Sequence, residues 1–249
     1  MSLGGLRTLH KWLSKPTVIW FHEIVNEENY RKRRWGWPQI AVVVFVVVAL
    51  IGALVPTFNS VARKSNQAVT AGNCKQIIMA LRLYAEEHGG TYPDTDSSEP
   101  PTSNDAFHVL FTERILDDER VFGAKLSPFV PNNIIGDAPD FPKALEPGEN
   151  HWAMTKGVKE SGNPLAPLVF ENPVSPSWPP NWNADAIGKQ VKGRTWRGGR
   201  IIVGFNDSSV RVIQLESAKG SDVLPAREAD GKDVFTRAGD PMDMLDIRE

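Results

Sequence analysis

Residues 35–67 read WGWPQIAVVVFVVVALIGALVPTFNSVARKSNQ. Trp35 to Phe58 is a run of 24 uncharged residues, and no charge falls anywhere between Arg34 and Arg63. As an α-helix, at ~1.5 Å per residue, such a run covers about 36 Å, enough for a ~30 Å hydrocarbon core. The VVVFVVV segment inside it has strand propensity, but an isolated strand in lipid leaves its backbone unpaired, so a helix is expected. Trp35 and Trp37 stand where an interfacial aromatic belt would lie, and Arg31, Lys32, Arg33 and Arg34 mark that end as cytoplasmic. A cleavable secretory signal has an apolar core of ~7–15 residues followed by small residues. This run is longer, begins after 34 residues and leads into LVPTFNSVARK, so a membrane span at 35–58 is the better reading.

The residues after the run separate a plain anchor from a spine. Val61, Ala62, Ala68, Val69, Ile77, Ile78, Leu81, Tyr84 and Ala85 recur at spacings of three, four and seven, and no proline intervenes before Pro93. One helix is therefore expected from about Pro38 to His88, uniformly apolar in its first half and striped in its second. Gly89-Gly90 supplies its stop and Tyr92-Pro93-Asp94 a turn. Pro56 falls inside it and predicts a bend, since proline removes one backbone hydrogen bond. A flexible tether would be rich in Gly, Ser and Pro, whereas this segment is built to pack.

The charge distribution agrees with a membrane protein. The first 39 residues carry seven Lys/Arg against three Glu, and the remaining 210 carry 21 against 27. The exported part is thus slightly acidic, which gives no electrostatic reason to expect nucleic-acid binding. Cys74 is the one cysteine, so no intrachain disulfide exists and the core alone must hold the exported part. Residues 1–34 form a cytoplasmic segment. Two short apolar-periodic pieces, split by Pro16, suit either an amphipathic helix on the membrane surface or a small cytoplasmic cap.

Beyond the stalk, 91–105 reads as a polar, Pro-rich loop and AFHVLFTERIL (106–116) as a helix capped by Asn104 or Asp105. Residues 117–150 are turn-rich and predict surface loop with at most one short strand. Segments 151–155, 166–171, 200–205 and 210–215 read as strands, the last two joined through Asn206-Asp207-Ser208-Ser209. The tail from Glu216 reads as loop with one short helix or none. The expected architecture is α+β: a long N-terminal helix, half membrane-spanning and half amphipathic (59–88), packed on a small antiparallel sheet within 89–249.

The sequence resembles the type IV pilin-like proteins, which include the pseudopilins of type II secretion machinery. Three stretches carry the likeness: IAVVVFVVVALIGALVPTF, the amphipathic half leading into GGTYPD, and GGRIIVGFNDSSVRVIQL. The resemblance implies a long N-terminal helix buried in its second half against an antiparallel sheet. It also implies a non-enzymatic structural or assembly role at the cell envelope, with the N-terminus cytoplasmic, the C-terminal domain outside the inner membrane, and the bilayer and other pilin-like subunits as partners. In that family a basic leader ending in Gly is removed before an aromatic residue, which here points to Gly36-Trp37. Counted from Trp37, the fifth position is Ala41 rather than the family's Glu. A fresh buried ammonium would then lack its partner, so the leader is expected to be retained.

No motif for chemistry stands out. His88, His108 and His151 are far apart, and there is no H-E-x-x-H, no paired-cysteine spacing, no G-x-S-x-G and no phosphate-binding glycine loop. No catalytic residue, cofactor or small-molecule substrate is assigned. The late carboxylates Asp230, Asp233, Asp240, Asp243 and Asp246 raise the question of a calcium ion, although their spacing is not that of an EF-hand. Trp178, Trp182 and Trp196, set among prolines and asparagines, are either a recognition platform or anchors for an irregular segment. The platform reading would make the protein a membrane-tethered binding module that does not polymerise, the alternative to an assembly component.

Overall fold

A computed structural model of the protein describes residues 36–94, 102–238 and 242–249, apart from the side chains of residues 53–60, 63 and 238. The N-terminal segment 1–34, Trp35, residues 95–101 of the loop expected at 91–105, and Asp240 lie outside the described residues. The chain divides into two units, Met1–Phe58 and Asn59–Glu249.

Helix α1 is Trp37–Glu87. In the first unit it starts beside Gly36, whose carbonyl accepts from the Gln39 amide (3.0 Å) while its own N–H donates to Gln39 Oε1 (3.2 Å). Val42 to Val48, Leu50 and Ile51 are all exposed there, and Phe45 is 74% exposed. Among the described residues no helix is long and apolar enough to cross a membrane. The described side chains of the apolar run end at Gly52, whereas the run in the sequence reaches Phe58. Pro56 lies within α1, but its side chain falls outside the described ones.

In the second unit α1 buries one face. Thr70, Cys74, Ile77, Ile78, Leu81, Tyr84 and Ala85 are sealed at helical spacing. The predicted stripe begins too early, because Val61, Ala62, Ala68 and Val69 are exposed and burial starts at Thr70. The helix stops where glycine permits it. Gly89 and Gly90 take φ of +63° and +80°, and the Gly90 amide reaches back to Ala85 O (2.8 Å) in a Schellman closure.

The sheet consists of β1 (Trp152–Lys156), β2 (Pro167–Glu171), β3 (Arg200–Phe205), β4 (Val210–Gln214) and β5 (Asp243–Leu245). Its order is β4-β3-β2-β1-β5, and every pairing is antiparallel. The fold is therefore α+β. Side-chain alternation divides the strands between two cores. Trp152, Met154, Ile202 and Leu245 join the cluster that holds Cys74, Ile77 and Leu81 of α1. Ala153, Phe170, Ile201, Val203, Phe205 and Met244 face the opposite cluster, beneath Trp182 and Phe235. A register shift between Pro167 and Val169 lets Leu168 and Val169 both join the helix-side cluster.

Three expectations need correction. The tail is not all loop, since Asp243–Leu245 pairs with β1 and forms one edge of the sheet. The short helix α2 is Ser103–Thr112, capped by the Thr102 hydroxyl rather than by Asn104 or Asp105. Asn104 is instead buried and donates to Leu145 O (2.9 Å). Residues 117–150 have no strand but are not merely surface, because Phe122, Phe129 and Leu145 are core residues. That segment folds around the buried Glu119 carboxylate, which accepts from the backbone amides of Asn133, Ile134 and Leu145. Three backbone donors satisfy a charge that burial would otherwise make expensive.

Candidate functional site

The predicted site residues are divided between the two units. Gly36 and Trp37 mark the start of α1, with Trp37 87% exposed. Trp178, Trp182 and Trp196 belong to the excursion between β2 and β3, and they behave as anchors. Trp182 is fully buried and its Nε1 donates to the Glu171 carbonyl (3.2 Å). Trp196 is 7% exposed and its Nε1 donates to both carboxylate oxygens of Glu171 (3.0 and 2.9 Å). Trp178 is half-buried and sits edge-on to Phe235, ring centroids 5.4 Å apart. A platform needs exposed ring faces; Trp182 and Trp196 are buried and anchor the excursion instead, while Trp178 keeps part of its ring exposed.

Glu171, which closes β2, is the hub that sequence reasoning missed. Besides Trp196, its carboxylate accepts from the Ile202 amide (2.8 Å) and meets His151 Nε2 at 3.1 Å and Arg194 Nη2 at 3.7 Å. Burial pushes the His151 imidazole below its ordinary range, despite the opposing pull of Glu171. The neutral ring thus carries its proton on Nε2, toward Glu171, and leaves Nδ1 as the acceptor. Ser127 Oγ lies 2.9 Å from Nδ1 and Asn172 Nδ2 lies 2.7 Å from it. Asn172 is fixed in that orientation because its Oδ1 accepts from the Gly193 amide and its Nδ2 also donates to His151 O. Arg194 stacks over Trp196, 4.6 Å to the ring centroid, and donates to Lys125 O (2.7 Å).

Ser127, His151 and Glu171 are connected in the order nucleophile, base and carboxylate. Their surroundings make the arrangement a pin instead. The Phe129 amide donates into Ser127 Oγ (3.0 Å), and Pro128 offers no N–H to a developing oxyanion. All three residues are sealed, Ser127 being the least so at 2% exposure. The network ties three distant pieces to the end of β2: the loop carrying Ser127, the start of β1 at His151, and the returning end of the excursion at Arg194 and Trp196. Its sequence signal is slight: a charged residue ending the otherwise apolar strand PLVFE, and a histidine directly preceding β1.

The three histidines of the second unit stand apart. His88 stacks on Tyr84 (3.7 Å, 7°), His108 Nε2 contacts Phe141 O (3.0 Å), and His151 lies in the network above. Of the late carboxylates, three of those described are individually engaged. Asp230 pairs with Arg237, Asp233 caps the turn at Phe235 and Thr236, and Asp246 pairs with Lys192 (2.6 Å). Among the described residues no group of three or more His, Cys, Asp or Glu is placed to hold a metal ion. Cys74 is buried, and burial pushes its thiol well above the usual range.

The recesses open on the second unit include two beside α1. A groove of about 680 Å³ runs beside α1 between Met79, Leu83, Ile115 and Leu116. A cleft of about 430 Å³ lies between Val69, Thr70 and Asn73 of α1 and the loop from Arg120 to Pro131. Ser127 lines that cleft, so the buried network supports its wall from behind. Compared with protein-family models, with curated proteins and with solved structures, the chain matches none of them.

Proposed function

We propose that the protein is a single-pass, pilin-like or pseudopilin-like component of a secretion or pilus-type assembly in the cell envelope. Its N-terminus is cytoplasmic and the chain from about residue 59 lies outside the inner membrane. The observation that carries this reading is the contrast within α1. Residues 42–51 are apolar on every face and exposed, whereas residues 70–85 bury a single face against the sheet. An all-round apolar helix is suited to lipid or to neighbouring apolar helices, not to water. The arginine and lysine cluster at 31–34 and the tryptophans at 35 and 37 support the orientation.

The mechanism is lateral packing of the upper part of α1 with partner subunits in and above the bilayer, while the α+β part presents its loops. The leader through Gly36 is retained, because the position that would neutralise a new N-terminus is Ala41. The rival reading, a tethered module recognising ligands through its tryptophans, loses its instrument now that Trp182 and Trp196 are sealed. Crosslinking through a cysteine placed at Val47 tests the proposal, and the native Cys74 is too buried to compete. A ladder of multimers from native membranes is expected. A monomer band alone would overturn the assembly role.

A further inference from the structure

We propose that the cleft between α1 and the 120–131 loop docks an extended peptide segment of a partner protein, one that carries a bulky apolar side chain beside carboxylates. Three large apolar residues line this one recess while remaining open to solvent: Val69 at 56%, Leu126 at 43% and Val130 at 64% exposure. Leu126 is held there at φ +64°, a left-handed conformation that a branched side chain adopts only at a cost and that glycine would take freely. The core gains little from a side chain displayed outward, and the contacts that flank Leu126 within the fold over-determine this conformation and keep the side chain there.

The display is rigid. Ser127 is pinned to His151, Lys125 O accepts from Arg194 (2.7 Å), Gly123 O accepts from Asn73 of α1 (3.0 Å), and the Val130 amide donates to Gly148 O (2.9 Å). A loop fixed from beneath on both sides of Leu126 loses little conformational freedom when a ligand arrives.

Charge selects the ligand. Arg120 and Lys125 line the cleft and no acidic residue does, although the chain from residue 40 onward is net acidic. Arg120 already holds Asp118 (2.6 Å), whereas Lys125 makes no ion pair among the described residues. The recess is concave, and the amides of Asn73 and Gln190 in its lining suit a peptide backbone, whose own N–H and C=O groups need partners. The docking geometry is independent of the membrane span and of assembly.

The test uses the full-length chain in phosphatidylcholine nanodiscs and fluorescein-labelled acetyl-Glu-Leu-Val-Glu-amide, read by anisotropy, with the Lys-Leu-Val-Lys peptide as its charge-reversed control. Saturable binding of the acidic peptide is expected, weakened at least about tenfold by Leu126→Gly and by Lys125→Glu. Glycine fits φ +64°, so Leu126→Gly keeps or raises the denaturation midpoint, which separates lost binding from lost folding. The proposal is overturned by no saturable binding up to about 1 mM, or by equal affinity in wild type and both variants. It is also overturned if Leu126→Gly instead abolishes binding to phosphatidylserine vesicles or concentration-dependent self-association while the peptide never binds.

Discussion

Replacing Gly204 by alanine tests how closely α1 lies on the sheet. An added Cβ would stand 2.2 Å from Ile78 Cδ1 and 2.8 Å from Cys74 Sγ, and both residues are fully buried. An ordinary carbon contact is about 3.5–4.0 Å, so Ile78 must leave its rotamer or the helix must lift from β3. Overpacking of this kind costs ~1–3 kcal/mol. The backbone freedom that alanine removes from the unfolded chain returns about 0.5–1 kcal/mol. Two collisions, one of them at 2.2 Å, place the overpacking in the upper part of its range, at about 2.5 kcal/mol, so the net loss is roughly 1.5–2 kcal/mol. Ile78→Val alone, which deletes the offending methyl, costs about 1 kcal/mol. If the two effects were independent, the double variant would lose about 2.5–3 kcal/mol. Because valine removes the nearer of the two collisions, the double variant should lose only about 1.5 kcal/mol, a coupling of about 1 kcal/mol or more. Equilibrium denaturation of the four proteins, followed by tryptophan fluorescence, measures the cycle. Wild-type stability in Gly204→Ala, or strict additivity in the double variant, would show that helix and strand do not meet as described.

Three further outcomes are expected. His151 is held neutral by burial, facing Glu171 and Arg194, so its folded pKa lies below the unfolded value of 6.5. The unfolded chain then takes up the proton first, so this contribution to stability is present above about pH 6.5 and is lost as pH falls. Between about pH 7.5 and 5.5, the denaturation midpoint of His151→Gln should fall less steeply than that of wild type, and parallel slopes would remove His151 from the account. Glu171→Gln strands the buried Arg194 guanidinium and should cost about 3–5 kcal/mol, with Arg194→Met in the same chain restoring at least half. A melting temperature near wild type in Glu171→Gln would sink the hub assignment. Intact mass of the native protein should still include residues 1–34, and finding Trp37 as the first residue would favour a processed filament subunit instead.

Elements whose own side chains dictate them are legible from the sequence. The strand at 200–205 is legible with its observed bounds because RIIVGF is a continuous β-rich run ended by Asn and Asp at a turn. The end of α1 is legible because Gly89-Gly90 is a local signal. Features owed to distant partners are not. Asp243–Leu245 is a strand only because β1 offers it an unpaired edge, and nothing in a charged tail announces that. Ser103 and Asn104 are helical and buried because Trp152 O and Leu145 O accept from their side chains, which moves the cap back to Thr102. The candidate site is the least legible part. Composition marks the tryptophans correctly as special, but only the fold shows two of them converging on Glu171. The cleft is assembled from α1 and a loop some fifty residues later, a juxtaposition that no periodicity encodes.

The excursion between β2 and β3 leaves the sheet at Glu171, and both Trp182 and Trp196 return to that same residue, so the detour is laced shut at its base. What happens at its far tip is then decoupled from strand pairing. Gly188 and Lys189 are exposed at that tip. Doubling the length of a closed loop costs only about 0.6 kcal/mol in chain entropy. An epitope or fluorescent tag spliced between those two residues should leave the strand pairing unperturbed, and because Gln190 of the cleft lining is next in the chain it would place a reporter beside the proposed docking site.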